Sequence, residues 1–285
     1  MLGYDKVIEL IGKFSHLSKI WDKKYVIEDY ECGFRHPWLN RLADDPDEEI
    51  ISELKKLDSY LGMVAPYKGL NKLLPGLKAH DIEYFSSTMA ELKTDAWIAS
   101  CHNLVEIRPL LPNRKNEADF KLTLEGQSIY GEVWKARDLP SSKINDYPIP
   151  IFMTDQGAEE PKRKRTLHQK GNSQLPPNVI GIWVAHIYHA ILTRTFVDTF
   201  TQDMANRPNV LGVALWVRAG SKRFSSPCIR CRELADEGHD IYWLDNKDSE
   251  HTYMQRKFLC SVISSEVWTS GLIRPPQNGA LRPRR

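Results

Sequence analysis

Apolar residues recur at three- and four-residue spacing through the first part of the chain. Val7, Ile8, Leu10 and Ile11 form one such group, and Ile50, Ile51, Leu54, Leu57 and Leu61 form another. That period predicts helices packed on one side. Asp45-Pro46-Asp47 starts the second group, with acidic residues placed to complement the positive end of the helix dipole. Leu74-Pro75-Gly76-Leu77 then punctuates the chain, which predicts a helical N-terminal region over 1–75 and a second region over 76–285. Between Asp81 and Ile98 the helical period returns in Ile82, Phe85, Met89, Leu92 and Ala96. Glu91 adjoins that apolar face, and Asp95 follows it one turn later on the same side.

Beyond this helix the pattern changes to strands. Leu104–Arg108, Asp119–Leu124 and Ser128–Trp134 are short runs of strand-like composition, and Glu125-Gly126-Gln127 between the last two predicts a tight hairpin. A long polar insertion runs from Arg137 to about Arg165, and a short helix is expected up to Gln174, where Pro176-Pro177 stops it. Val179–Ala185 is continuously apolar, the pattern of a strand covered on both faces. A helix over Ala190–Ala205, a buried strand over Val210–Val217 and a shorter one over Ile241–Leu244 complete the order. Helix, three strands, helix, strand and further α/β units predict an α/β sandwich around a mixed sheet.

Composition narrows the classes without choosing among them. With 285 residues, 41% apolar and 27% charged, the chain has the make-up of an ordinary globular protein and can bury a large core. A net charge of +2 is too small to signal nucleic acid by itself, so any phosphate contact has to come from clusters. Lys162-Arg163-Lys164-Arg165 is one cluster and Arg282-Pro283-Arg284-Arg285 another. Five scattered cysteines and no secretory leader point to a reducing cytoplasm. Cys228-Ile-Arg-Cys231 has the spacing of half a zinc site, but no second pair completes it. The longest apolar run, Val179–Leu192, is broken by His186 and His189 and falls short of the ~20 residues needed to span a bilayer, so no membrane segment is expected. No GxxxxGK[ST], GxGxxG, HExxH or GxSxG occurs. Singly, His168, His186 and His189 read as hydrogen-bonded or exposed histidines.

The chemistry gathers between Glu91 and Lys135, where Glu91, Asp119 and Glu132 come from a helix, a strand start and a strand. Carboxylates from separate elements suit a hard divalent cation such as Mg²⁺, with Mn²⁺ in its place as a substitute, because such ions take oxygen ligands and keep water and phosphate oxygens in their shell. Metal-assisted phosphodiester cleavage is the chemistry this set implies. Glu132 shares a strand face with Tyr130 and Trp134, so its carboxylate is either half-buried with a partner or at an exposed edge.

The runs Ala90-Glu91-Leu92-Lys93, Glu106-Ile107-Arg108-Pro109, Glu117-Ala118-Asp119-Phe120 and Ile129-Tyr130-Gly131-Glu132-Val133 resemble, in order and spacing, the core of the PD-(D/E)xK phosphodiesterases, the restriction-endonuclease-like superfamily. Gln174-Leu175-Pro176-Pro177-Asn178-Val179-Ile180 is similar to the helix end and following strand of bacterial members. The resemblance covers about half the chain, from Pro75 to Val217. It implies a mixed-sheet α/β sandwich of restriction-endonuclease-like type carrying a Mg²⁺-dependent nuclease that acts on DNA in preference to RNA. Asp119 and Glu132 would be metal ligands, joined by the carbonyl of Val133, with Glu91 as the supporting helix carboxylate. The superfamily's lysine falls two residues after the glutamate, and Trp134 stands there. Lys135 reaches the same side only if a β-bulge intervenes at Val133-Trp134, and Lys170 is the alternative from the following helix. Lys162, Arg163, Lys164 and Arg165 would contact the nucleic acid. Two other readings share these residues. One is the same fold with a decayed site that binds nucleic acid or protein, and the other is an interaction protein whose aromatic residues Trp21, Trp38 and Trp134 meet a second copy or another subunit.

Overall fold

The computed structural model describes residues 3–101, 103–112, 116–135, 175–188, 201–218 and 241–263. The chain divides into two compact units, Met1–Ala99 and Ser100–Arg285. The division falls after Ala99 rather than at the punctuation over Leu74–Leu77, so the helix that carries Glu91 clusters with the helical unit.

Seven helices build the described part of the first unit: α1 (Tyr4–Ile11), α2 (Leu17–Ile20), α3 (Lys23–Glu31), α4 (Pro37–Asp44), α5 (Glu48–Val64), α6 (Leu74–Leu77) and α7 (Ile82–Ser100). In α5 the residues Ile50, Leu54, Leu57, Leu61 and Val64 are fully buried, the stripe that the three-four spacing predicts. Asp47 caps this helix by accepting from the Ile50 N–H at 2.7 Å, and Asp81 caps α7 through the Tyr84 N–H at 2.7 Å. The expected break at Leu74–Leu77 is instead a short helix. Proline is tolerated in a first helical turn, where its missing N–H has no partner to lose, and Gly76 is retained because a Cβ there would collide with Thr88.

A buried polar cluster organises the centre of this unit. The His36 ring, fully buried, donates from Nε2 to the Leu77 carbonyl at 3.2 Å and accepts the Leu39 N–H on Nδ1 at 3.3 Å, so the neutral Nε2–H tautomer satisfies both ring nitrogens. Asp29 accepts the His36 main-chain N–H and lies 3.0 Å from His80 Nε2. Trp21 and Phe85 pack edge-on against the His36 ring at 4.6 and 4.8 Å between centroids.

The second unit is a six-stranded open sheet in the order β1-β2-β3-β4-β5-β6, with β1 Leu104–Ile107, β2 Phe120–Leu124, β3 Gln127–Lys135, β4 Gly181–Tyr188, β5 Val210–Arg218 and β6 Ile241–Asp245. The first three strands form an antiparallel meander, β3, β4 and β5 run parallel, and β6 returns antiparallel. The protein is therefore mixed α/β, as the order of patterns predicts. Ile129 through Val133 are buried without alternation, because β3 is central and covered on both faces. The helix α8 (Thr252–Phe258) buries Met254 and Phe258, with the Phe258 ring 5.1 Å from that of Trp243. Of the helix expected over Ala190–Ala205, residues 201–205 are described and helical. Among the described residues no helix is long and apolar enough to cross a membrane.

Candidate functional site

A two-residue turn sets the register of the candidate site. Glu125 and Gly126 both have positive φ, +49° and +77°, the backbone of a type I′ hairpin turn, which brings Leu124 opposite Gln127. Counting back from that turn pairs Lys121 with Tyr130 and Phe120 with Gly131. Gly131 has no side chain because the Phe120 ring lies where a Cβ would be.

At Asp119 the ladder changes. The Asp119 N–H donates at 3.0 Å to the carbonyl of Gly131, the residue that already pairs with Phe120, so two successive residues address one, the arrangement of a β-bulge. The Asp119 carbonyl accepts the Arg108 N–H at 2.8 Å, which holds this corner against the end of β1. Asp119 Oδ2 then accepts the Val133 N–H at 2.6 Å. In effect the carboxylate continues the β2 ladder after the backbone has turned away. Because the N–H and C=O of one strand residue point to the same side, the Val133 carbonyl is directed toward Asp119 as well.

Glu132, the next residue on β3, is 4% exposed and shares its face with Tyr130 and Trp134. Trp183 is its lateral neighbour on β4. Among the described residues two cations lie on this face, each over an aromatic ring. Lys121 Nζ is 5.6 Å from the Tyr130 ring centroid, and the Arg207 guanidinium is 5.5 Å from that of Trp183. The segment before β5 that carries Arg207 is fixed by Asn246 Nδ2, which donates to the Arg207 carbonyl at 2.8 Å. Burial pulls the pKa of the Arg207 guanidinium below its usual value, and the Asp203 charge acts in the opposite direction.

The register corrects the expectation for Lys135. β3 pairs with β4 without interruption from Tyr130 opposite Gly181 to Lys135 opposite His186, so no bulge occurs at Val133-Trp134. The parallel ladder on that side continues past both residues, and a bulge would break it. On the other side of β3 the antiparallel ladder ends beside Asp119, and the sheet's register shifts fall between Leu104 and Glu106 and between Gly181 and Trp183. Lys135 consequently occupies the face opposite Glu132, in one row with His186 and Trp216, whose rings stack at 4.9 Å. Glu91 lies on α7 of the first unit, half-buried between Ala90 and Leu92, and Asp95 one turn on is 1% exposed. Lys162, Arg163, Lys164, Arg165, Lys170, His168, His189 and the Cys228-Cys231 pair lie outside the described residues.

The donors carried by this part of β2 and β3 are two carboxylates and a main-chain carbonyl, oxygen ligands of the kind that suit a hard divalent cation and no soft one. Among the described residues no group of three or more His, Cys, Asp and Glu side chains is arranged to hold a metal ion. A cation held here would therefore complete its shell with water and substrate oxygens, as Mg²⁺ commonly does. No sequence motif marks Lys121 or Arg207, although the two-residue turn is enough to place Lys121 opposite Tyr130. No family model, curated protein or solved structure matches the chain.

Proposed function

We propose that this protein is a divalent-metal-dependent phosphodiesterase of restriction-endonuclease-like type, acting on nucleic acid and on DNA in preference to RNA. The observation that carries the reading is the junction at the start of β2, where Asp119, turned out of the ladder by a bulge, binds the Val133 N–H at 2.6 Å beside the buried Glu132. Glu132 is a carboxylate kept inside the central strand at 4% exposure, where burial of a charged group is costly, which marks the position as one with a role.

In this reading Asp119, Glu132 and the Val133 carbonyl hold the Mg²⁺ or Mn²⁺. When bound, the cation polarises the scissile phosphate and lowers the pKa of a coordinated water. Asp119 Oδ2 fixes the β3 backbone at Val133, next in sequence to Glu132. The half-buried Trp134 and the rings of Tyr130 and Trp183 restrict water around Glu132 and strengthen electrostatic interactions there.

The test is cleavage of single- and double-stranded DNA and RNA with Mg²⁺, Mn²⁺ or EDTA, beside an Asp119→Ala/Glu132→Ala double variant. Metal-dependent cleavage lost in the folded variant supports the proposal. Absence of cleavage on every substrate overturns it. The opposite facing of Lys135 favours a second reading, in which the same surface binds nucleic acid without cutting it. That reading expects salt-sensitive binding that survives the double substitution.

A further inference from the structure

A cationic side chain at the scissile phosphate, added to a metal, helps to orient the attacking water and to offset charge on the phosphoryl oxygens. The position two residues after Glu132 holds Trp134, and Lys135 faces the other side of the sheet. Resting on the phosphodiesterase reading above, we infer that Lys121, on the neighbouring strand, supplies this cation.

Three observations carry the inference. The hairpin register puts Lys121 directly opposite Tyr130, so both project from the face that Tyr130 shares with Glu132. Lys121 is therefore a diagonal neighbour of Glu132, at the roughly 7–8 Å that long side chains cross. Second, Lys121 follows Asp119 by two residues, on the strand that begins just after the carboxylate that binds the Val133 N–H. Third, its ammonium is held over the Tyr130 ring at 5.6 Å, and among the described residues it makes no salt bridge. A ring holds a cation weakly enough for a phosphate oxygen to displace it.

The other cation on this face is less well placed. Arg207 sits over Trp183, one strand beyond Glu132 and two strands from Asp119, and the Asp203 charge bears on it. Of these two cations, Lys121 is the one on the strand that Asp119 leads into, diagonal to Glu132.

In the step itself the water oxygen forms a bond to phosphorus and the ester P–O bond opposite breaks. The leaving oxygen departs with the bonding pair and takes a proton, while the attacking water loses one to solvent. Lys121 stays protonated throughout. Its N–H donates to a non-bridging phosphoryl oxygen and carries no covalent change.

The experiment compares wild type, Lys121→Ala, Lys121→Arg and Lys135→Ala in two assays. One is cleavage of duplex DNA with Mg²⁺. The other is binding of a nuclease-resistant phosphorothioate duplex across a salt series. Lys121 is half-exposed, so thermal unfolding of its variants should match wild type and exclude misfolding as a cause. Lys121→Ala is expected to lose about 100-fold or more in kcat, in the range seen when one electrostatic donor is removed. Its log-log salt slope should fall by about one, and Lys121→Arg should restore part of both. If wild type cleaves and Lys121→Ala cleaves equally well, or if the loss falls on Lys135→Ala instead, the assignment is overturned while the nuclease reading stands. If wild type never cleaves but Lys121→Ala still lowers the salt slope, the nuclease reading fails and Lys121 remains a phosphate contact. No cleavage together with an unchanged slope overturns both.

Discussion

Replacing Asp119 by asparagine and by alanine separates the two tasks this residue performs. The Val133 N–H bond is short at 2.6 Å, ends on a carboxylate, and belongs to a half-buried side chain. Hydrogen bonds to charged groups contribute about 1.5–3 kcal/mol, and partial exposure argues for the lower half of that range. Asp119→Ala also leaves a backbone N–H of the central strand without its acceptor, so a loss of about 2 kcal/mol is expected. For a unit of this size that corresponds to roughly 4–8 °C in Tm, read by circular dichroism. Asp119→Asn keeps an acceptor of nearly the same shape and gives up only the charge. It should lose about 1 kcal/mol or less, since removing one negative charge beside Glu132 offsets part of the weaker bond. Metal-dependent cleavage should disappear in both. An Asp119→Ala protein that unfolds at the wild-type temperature would refute the structural half of this reasoning. Wild-type cleavage by Asp119→Asn would refute the chemical half.

Gly131→Ala should destabilise by about 1–3 kcal/mol in urea unfolding and distort the Asp119 corner, because its Cβ meets the Phe120 ring. Gly126→Ala, at φ +77° in open surroundings, should cost about 1 kcal/mol and leave any cleavage unchanged, since it strains the turn without shifting the register. Acid should act on the first unit through His36, whose burial lowers its pKa from 6.5 to about 3. Below pH 6.5 the unfolded chain takes up a proton that the folded chain refuses, so stability rises with pH across the window from about 3 to 6.5. Proton linkage over that window makes the loss at its acid end about 4–5 kcal/mol. Asp29, raised by burial, works the other way above pH 3.8, which is why the measurement is the difference in pH slope between wild type and His36→Gln. Parallel slopes would rule out His36 as the source.

The parts of this fold that are legible in the sequence are those governed by a single period. The three-four spacing of Ile50, Leu54, Leu57 and Leu61 anticipates the buried stripe of α5, and the continuous apolar run after Pro177 anticipates a strand covered on both faces. Leu74–Leu77 is less legible, because Pro-Gly reads as a stop unless the packing against Thr88 is known. The Asp119 corner lies beyond periodicity altogether. Nothing local to Glu117-Ala118-Asp119 says that its carboxylate will complete a ladder with a residue 14 positions away. That bond exists only once the turn at Glu125-Gly126 has closed and the β2 backbone has bulged.

Strand parity is what separates the motif from the site. In a strand the side-chain period is two, so a lysine one residue late stands on the wrong face, and a motif that tolerates one-residue slips ignores the variable that decides chemistry. Restoring Lys135 would require breaking the continuous pairing of β3 with β4 at Val133-Trp134. Taking the cation from β2 leaves the register intact, since the hairpin already sets Lys121 opposite Tyr130. A bulge at the end of a ladder disrupts few backbone hydrogen bonds, whereas one inside a parallel pair interrupts both neighbours. The hairpin register accounts for which lysine shares a face with Glu132.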